Sequence, residues 1–302
     1  MLQQLYLMLW LFVFASLSSA WIFACGPKRP SSLSNSKSAL FGSGNGQQDR
    51  DAAATLLFPH NLSCKPFLAV ITELDACDTD KRLQETLDVL FQAVQRKQVD
   101  LISVRAHGPD KHNETVNNAR QERVLKLTQQ LVQWADDYQF RVVLSSDWRH
   151  VVAQAKVHGV HVKESHRQFI LDIRQDIGPS LLIGTSAHSI ESACAAYHDY
   201  KVDYLLIGTC FVTESHPKKD PTQLEGPKLP GQVCRALKAL SSLSDNKNHP
   251  PPVLAIGGID ASKCHIPIQF GADGVATIRA VLQSQSPLEV VQEIKRTMMG
   301  AL

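Results

Sequence analysis

The sequence predicts an α/β chain closed into an eight-stranded parallel (β/α)8 barrel of the TIM type. Three observations predict it. Short, nearly continuous apolar runs recur along the chain, as parallel strands buried on both faces require. Segments of helical periodicity separate them. Eight such alternations fit between residues 67 and 298, close to the roughly 250 residues that a typical barrel of this kind uses. A doubly wound open sheet is the competing arrangement, but eight regular units favour closure.

Phe67 to Ile71 reads as the first strand, ending in Thr72. Residues 82–96 then place Leu83, Leu87, Leu90, Phe91 and Val94 on one helical face. Leu101 to Arg105 is the second strand, and a helix over 115–137 turns Leu127, Leu131 and Trp134 inward. Arg141 to Leu144 is the third strand and ends in Ser145-Ser146-Asp147, before a short helix with Val151, Val152 and Ala155. Gly159 to Val162 is the fourth.

Leu181 to Ile183 opens the fifth strand, which runs out into Gly184-Thr185-Ser186-Ala187-His188. After a helix, Tyr204 to Ile207 forms the sixth strand and ends in Gly208-Thr209-Cys210. This is a βαβ unit with two polar strand ends. A polar loop covers 212–230, and a loop of that length inside a compact domain is often functional. Val233 to Leu243 is helical, Pro252 to Ile256 is the seventh strand, and Gly274 to Ile278 is the eighth. Leu288 to Met298 closes the chain.

Composition narrows the function. The 302 residues include 44% hydrophobic side chains, enough for a large core, and the formal net charge is +2. No basic stripe with interleaved aromatics argues for nucleic acid. Seven scattered cysteines without a CxxC spacing give no zinc or redox motif; they read as buried small hydrophobes, with Cys210 able to border a pocket.

The first sixty residues read as an address. Leu5 to Leu17 is an apolar run too short to span a bilayer, followed by the small residues Ser18-Ser19-Ala20. Residues 1–20 are therefore expected to be a signal peptide. Residues 21–60 are Ser-rich and lack an acid before Asp49, which is transit-peptide composition. Together, with Trp21 after the cut, they resemble the bipartite plastid leaders of algae with complex plastids. The expectation is plastid delivery, with secretion or residence in the endomembrane system as the alternative and no stable membrane span after processing. Residues 61–302 are the barrel.

Parallel barrels place ligands at the carboxyl ends of their strands and often bind phosphate after strands seven and eight. There the chain carries Gly257-Gly258 and Arg279. The glycines would let backbone N–H groups approach an anion, or would merely serve a tight turn. Thr213, Ser215, Lys218 and Lys219 in the long loop suit a second anionic group or a solvated surface. His188, with Ser186 beside it, is a candidate proton shuttle, or caps the next helix, or bonds backbone. His161 reads as structural. Arg105 and Asp147 either face the mouth or pair with neighbours, and Asp147 equally suits a helix N-cap.

The stretch GTSAHSIESACAAYHDYKVDYLLIGTCFVTES with its following Lys-Lys, then VLAIGGID and GADGVATIRAV, resembles the thiamine phosphate synthase/TenI superfamily. The resemblance implies a barrel acting on thiazole phosphate or thiamine phosphate. It implies substrate contacts at Arg105, Thr213, Ser215, Lys218 or Lys219, Gly257 and Gly258, with Ser186 and His188 at the reacting end; Arg279 stands where the family has a small residue, and its phosphate role rests on its place after strand eight. Two activities share the family. The synthase uses Mg²⁺ to join a pyrimidine diphosphate to the thiazole phosphate, whereas the TenI-type tautomerase moves protons and needs no cofactor. The synthase's clamp is changed here: Ser103, Arg105 and His107 stand after strand two, Ser146 and Asp147 after strand three, and Glu164, Ser165 and His166 after strand four. Asp147 is the one metal-binding carboxylate that remains, with Glu164 as a substitute for the other. The expected activity is therefore the tautomerase, with the synthase and a non-catalytic thiamine-phosphate-binding regulator as alternatives. A homo-oligomer is compatible with the family.

Overall fold

The computed structural model describes residues 66–109, 113–178, 180–213, 220–243 and 249–302. The expected leader segments, 1–20 and 21–60, lie outside the described residues, as do Ser215, Lys218 and Lys219. Eight parallel strands close in sequence order: β1 (Phe67–Ile71), β2 (Leu101–Val104), β3 (Arg141–Ser145), β4 (Gly159–Val162), β5 (Leu182–Ala187), β6 (Tyr204–Ile207), β7 (Val253–Ile256) and β8 (Gly274–Thr277). β8 returns to β1 with Phe67 opposite Gly274, which closes the barrel.

The helices are α1 (Asp80–Val94), α2 (Glu114–Tyr138), α3 (Val152–Ala155), α4 (Ile170–Ile177), α5 (Ile190–His198), α6 (Leu229–Leu243), α7 (His265–Gln269), α8 (Arg279–Leu282) and α9 (Pro287–Met299). Short 3₁₀ turns precede α3 and α4, at Ser146–Val151 and Glu164–Phe169. The 164–177 helical segment, α7 and α8 have no counterpart in the sequence reading. Their apolar faces are too small for a period to emerge: α4 buries only Ile170 and Ile173, α7 only Pro267 and Ile268, and α8 only Val281. Phe91 is corrected too. It is 37% exposed and packs across the barrel surface on Trp134 and Tyr138, with ring centroids 5.1 and 5.9 Å away.

Alternation along each strand separates two cores. Outward residues pack under the helices. Inward residues, including Phe67, Leu101, Val143, Leu182, Tyr204 and Leu254, fill the barrel itself. Nearer the mouth the inward positions turn polar, with Ser103, Ser145, His161 and Ser186.

At the opposite end, one interaction recurs four times. The residue just before each even-numbered strand accepts a backbone N–H at the start of the strand before it. Asp100 takes Leu68 N–H at 2.7 Å, and His158 Nδ1 takes Val142 N–H at 3.0 Å. Asp203 takes Ile183 N–H at 2.7 Å, and Asp273 takes Val253 N–H at 2.9 Å. Lys295 of α9 reaches both Asp100 (2.7 Å) and the Pro66 carbonyl (2.9 Å), pinning the last helix to the first strand. Burial pushes the Asp100 carboxyl up, against the opposing Lys295 ammonium.

His158 is the only imidazole in this set, and it works only when neutral. Burial first, then the nearby Arg141, pushes its pKa down to about 4. The unfolded chain, titrating near 6.5, takes the proton first as pH falls. Its contribution is therefore intact above pH ~6.5 and lost progressively down to the folded value of about 4, with a full magnitude on the order of 3 kcal/mol. His158→Asn keeps an acceptor of the reach that Asp100 already shows but does not titrate. Urea unfolding at pH 7 and pH 4.5 should show a smaller acid loss in the variant than in the wild type; equal losses would assign the acid sensitivity elsewhere.

Candidate active site

The strand ends open into a cavity of about 590 Å³, within the range of small-molecule sites. Its floor comes from Leu206, Ile256, Ala276 and Ile278, and its walls from Arg105, Ser186, His188, Thr213, Gly257, Gly258, Lys263 and Arg279. The structure thus brings together seven of the residues expected there from sequence, the exceptions among the described ones being Asp147 and Glu164, which do not line this cavity.

The β7 and β8 ends build one wall. Gly257 and Gly258 both sit at positive φ, +104° and +63°. A Cβ on Gly258 would lie 2.5 Å from the Val212 carbonyl oxygen, and one on Gly257 would lie 2.5 Å from Thr209 Cγ2. Only glycine lets this turn press against the β6 loop. Lys263 pairs with Asp260 beside it, and Arg279 Nε lies 3.4 Å from Glu73. Arg105 stands across the mouth. Its buried Nε has no hydrogen-bond partner among the described residues. Burial lowers the Arg105 pKa, Glu73 opposes this and Arg279 adds to it. A buried guanidinium with a spare donor is complementary to an anion.

His188 follows β5. The helix-cap role falls to Ser189, whose hydroxyl accepts Ser192 N–H. His188 instead turns its Nδ1 to the Gly208 carbonyl and to Glu225 Oε1, the latter at 3.3 Å. Glu225 is itself fixed by the Thr209 N–H, 2.6 Å from its other oxygen. Facing a carbonyl, Nδ1 carries the hydrogen, so the neutral ring presents a lone pair on Nε2. Glu164 Oε2 lies 3.6 Å from that nitrogen, close enough to pair with an imidazolium. Ser186 lies inside β5, not beyond it, because β5 pairs with β6 through Ser186–Leu206 and Ala187–Ile207. Its hydroxyl meets His161 Nε2 at 3.0 Å.

The side chains expected to bear on a metal are otherwise engaged. Asp147 is neither a helix cap nor an open carboxylate: it pairs with Lys163 Nζ at 2.6 Å, with Ser145 Oγ at 3.4 Å. Glu164 binds Arg167 at 2.9 Å and the Ser192 hydroxyl. His166 stacks edge-on with Phe169, and Ser146 is buried. Ser103 is buried, whereas His107 pairs with Asp78 at 2.9 Å. Among the described residues no group of three or more His, Cys, Asp or Glu could hold a metal ion. A Mg²⁺ ion here would therefore take one carboxylate at most from each strand end, Asp147 or Glu164, and only after that carboxylate left its cationic partner. Cys210 does not border the cavity; its buried thiol meets the Ile207 carbonyl.

Sequence reasoning missed Glu225, Lys263 and Arg167. Glu225 and Arg167 act through partners beyond another strand end, His188 and Ser192, which spacing along the chain does not reveal, whereas Lys263 pairs with Asp260 in its own loop. His161 was assigned a structural role, and its contact to Ser186 was not foreseen.

A closed parallel barrel with a cationic, glycine-lined mouth defines an α/β-barrel protein whose ligand site sits at the strand ends. A family model described as TMP-TENI, thiamine monophosphate synthase, matches residues 68–281, and the chain belongs to that family. A thiamine-phosphate synthase of Geobacillus kaustophilus is 35% identical over 129 residues, 43% of this chain and 51% of the relative. One from Salinibacter ruber is 31% identical over 153 residues, 50% of this chain and 60% of the relative. These matches span about half to three-fifths of the relatives' length. The solved thiamine phosphate pyrophosphorylase from Pyrococcus furiosus superposes with a TM-score of 0.58 at 23% identity, covering 80% of this chain and all of that one, a likeness of fold. No helix among the described residues is long and apolar enough to cross a membrane.

The glycine wall is testable. Gly258→Ala combines positive φ with a clash against backbone, which should cost about 2 kcal/mol of stability in urea unfolding. An unchanged midpoint would mean the turn can relax.

Proposed function

We propose that this chain is an enzyme of thiamine biosynthesis that isomerises a phosphorylated thiazole by proton transfer through His188. The observation that carries this reading is the imidazole held between two carboxylates at the rim of a cationic mouth. Arg105 and the Gly257–Gly258 turn suit a phosphate group, which would set the ring beside Nε2. Nε2 takes a proton from one ring atom, Glu164 stabilises the imidazolium, and the proton returns at another atom. No bond to phosphorus breaks, and the net change is an isomerisation.

A second reading is the diphosphate-displacing synthase, and the names of the relatives favour it. Against its Mg²⁺-dependent form stand the Asp147–Lys163 and Glu164–Arg167 pairs. One incubation decides between them: purified protein with each substrate set, with and without Mg²⁺, followed by product mass. Tautomerised thiazole phosphate without metal supports the first reading; thiamine phosphate supports the second. Binding with neither product would support a non-catalytic thiamine-phosphate binder.

His188→Ala should slow tautomerisation by about 10²–10⁴-fold. Glu225→Gln should lower kcat less, with KM little changed, because it orients the ring without touching the phosphate. Full activity in His188→Ala would remove the histidine from the mechanism. We also propose plastid delivery by residues 1–60, supported by their composition. A fluorescent fusion of those residues should enter the organelle, and its secretion would overturn this.

A further inference from the structure

Beneath the mouth, three side chains from three strands form a chain of hydrogen bonds. Tyr204 Oη meets His161 Nδ1 at 3.0 Å, and His161 Nε2 meets Ser186 Oγ at 3.0 Å. The rings of Tyr204 and His161 lie 5.6 Å apart at 33°. Tyr204 is fully buried in the barrel interior, while Ser186 lines the cavity. Space for the phenol is reserved: a Cβ on Gly184 would lie 1.9 Å from Tyr204 Cζ. Gly184 faces both rings across the sheet, being paired with His161 on one side and Tyr204 on the other.

The direction of these bonds follows from the end that water cannot reach. The Tyr204 hydroxyl has one partner among the described residues, and that partner is His161. If Tyr204 only accepted, its own hydrogen would be stranded in the core, a costly arrangement. It therefore donates to Nδ1. Neutral imidazole then carries its hydrogen on Nε2 and donates it to Ser186 Oγ. The ring stays neutral: burial first, and then Arg105, pushes its pKa down to about 4. With its oxygen already accepting from His161, Ser186 turns its own hydrogen toward the mouth.

We propose that Tyr204 and His161 are positioning residues that fix Ser186 as a hydrogen-bond donor to an oxyanion of the ligand. The polarity runs outward, Tyr204 to His161 to Ser186 to ligand. It matches the nearby Arg105, so that two donors converge on one acceptor group. A ligand ammonium at this point, with hydrogens and no acceptor lone pair, would meet two donors and be disfavoured. The inference deepens the proposed use of the mouth for a phosphorylated substrate, but its central claim concerns a tautomer in the ligand-free protein.

The test begins with ¹⁵N NMR of the full chain labelled at histidine, with His161→Asn identifying the signal. The expected result is a single Nε2–H tautomer for His161 near neutral pH. An Nδ1–H tautomer overturns the proposal whatever the enzyme's activity; conversely, failure of tautomerase activity leaves the tautomer result standing. The second arm is a double-mutant cycle read by calorimetric titration with inorganic phosphate. Tyr204→Phe keeps the ring and should weaken binding by about 2- to 10-fold. In a Ser186→Ala background the same change should add nothing, since the relay acts only through that hydroxyl. Independent effects that multiply, at comparable thermal midpoints, would mean that Tyr204 serves packing alone and would overturn the relay. Unaltered phosphate binding in Tyr204→Phe would overturn it as well.

Discussion

The barrel depends on the hydrogen bond made four times at its closed end. A parallel strand begins with backbone donors that have no ladder partner yet, and burying them unpaired is costly. Asp100, His158, Asp203 and Asp273 each meet that need for a neighbouring strand. Their spacing, one for every two strands, couples the sheet in pairs. The two ends of the molecule thus divide the work. Polar groups at the base are consumed by backbone and fix the register, whereas those at the mouth pair with one another and leave the Arg105 Nε donor without a partner among the described residues.

That division explains the character of the site. Inward positions low in the barrel are apolar and closely packed. One layer higher they become serine, histidine and arginine, held by partners on other strands rather than by their own loops. His188 illustrates this, since its orientation depends on Gly208 at the end of β6 and on Glu225 in the loop beyond. A histidine placed by the β5 end, the β6 end and the loop beyond β6 demands that the two strand ends be in register. The base supplies that register.

Much of this was legible in the chain. The strands were clear because each is a short apolar run, and β1, β4 and β6 fall where the sequence puts them. Ser186, His188, Arg105, Gly257 and Gly258 were legible as neighbours in one cavity because strand ends in such barrels converge. Glu225 was hidden in a polar loop whose fold depends on Thr209. The pairing of Asp147 with Lys163 was hidden as well, since only the closed sheet brings the end of β3 beside the end of β4. The repeat at the base left a trace that went unread: Val99-Asp100, Val157-His158, Val202-Asp203 and Ala272-Asp273 each stand just before an even-numbered strand.

The thiols carry a consequence of their own. Burial pushes Cys77 and Cys210 up to about 12 and Cys264 up to about 11. At neutral pH only about one in 10⁵ of the first two would be thiolate, the form that attacks a disulfide or meets an oxidant. Cys234 is buried against Asp273, and no disulfide joins the described cysteines. Among the described cysteines, the four buried ones are in this sense redox-indifferent, and Cys194 alone is half-buried. An oxidising or a reducing solution would find these four buried sulfur atoms equally unreactive, so the described core can form in either without a change in its packing.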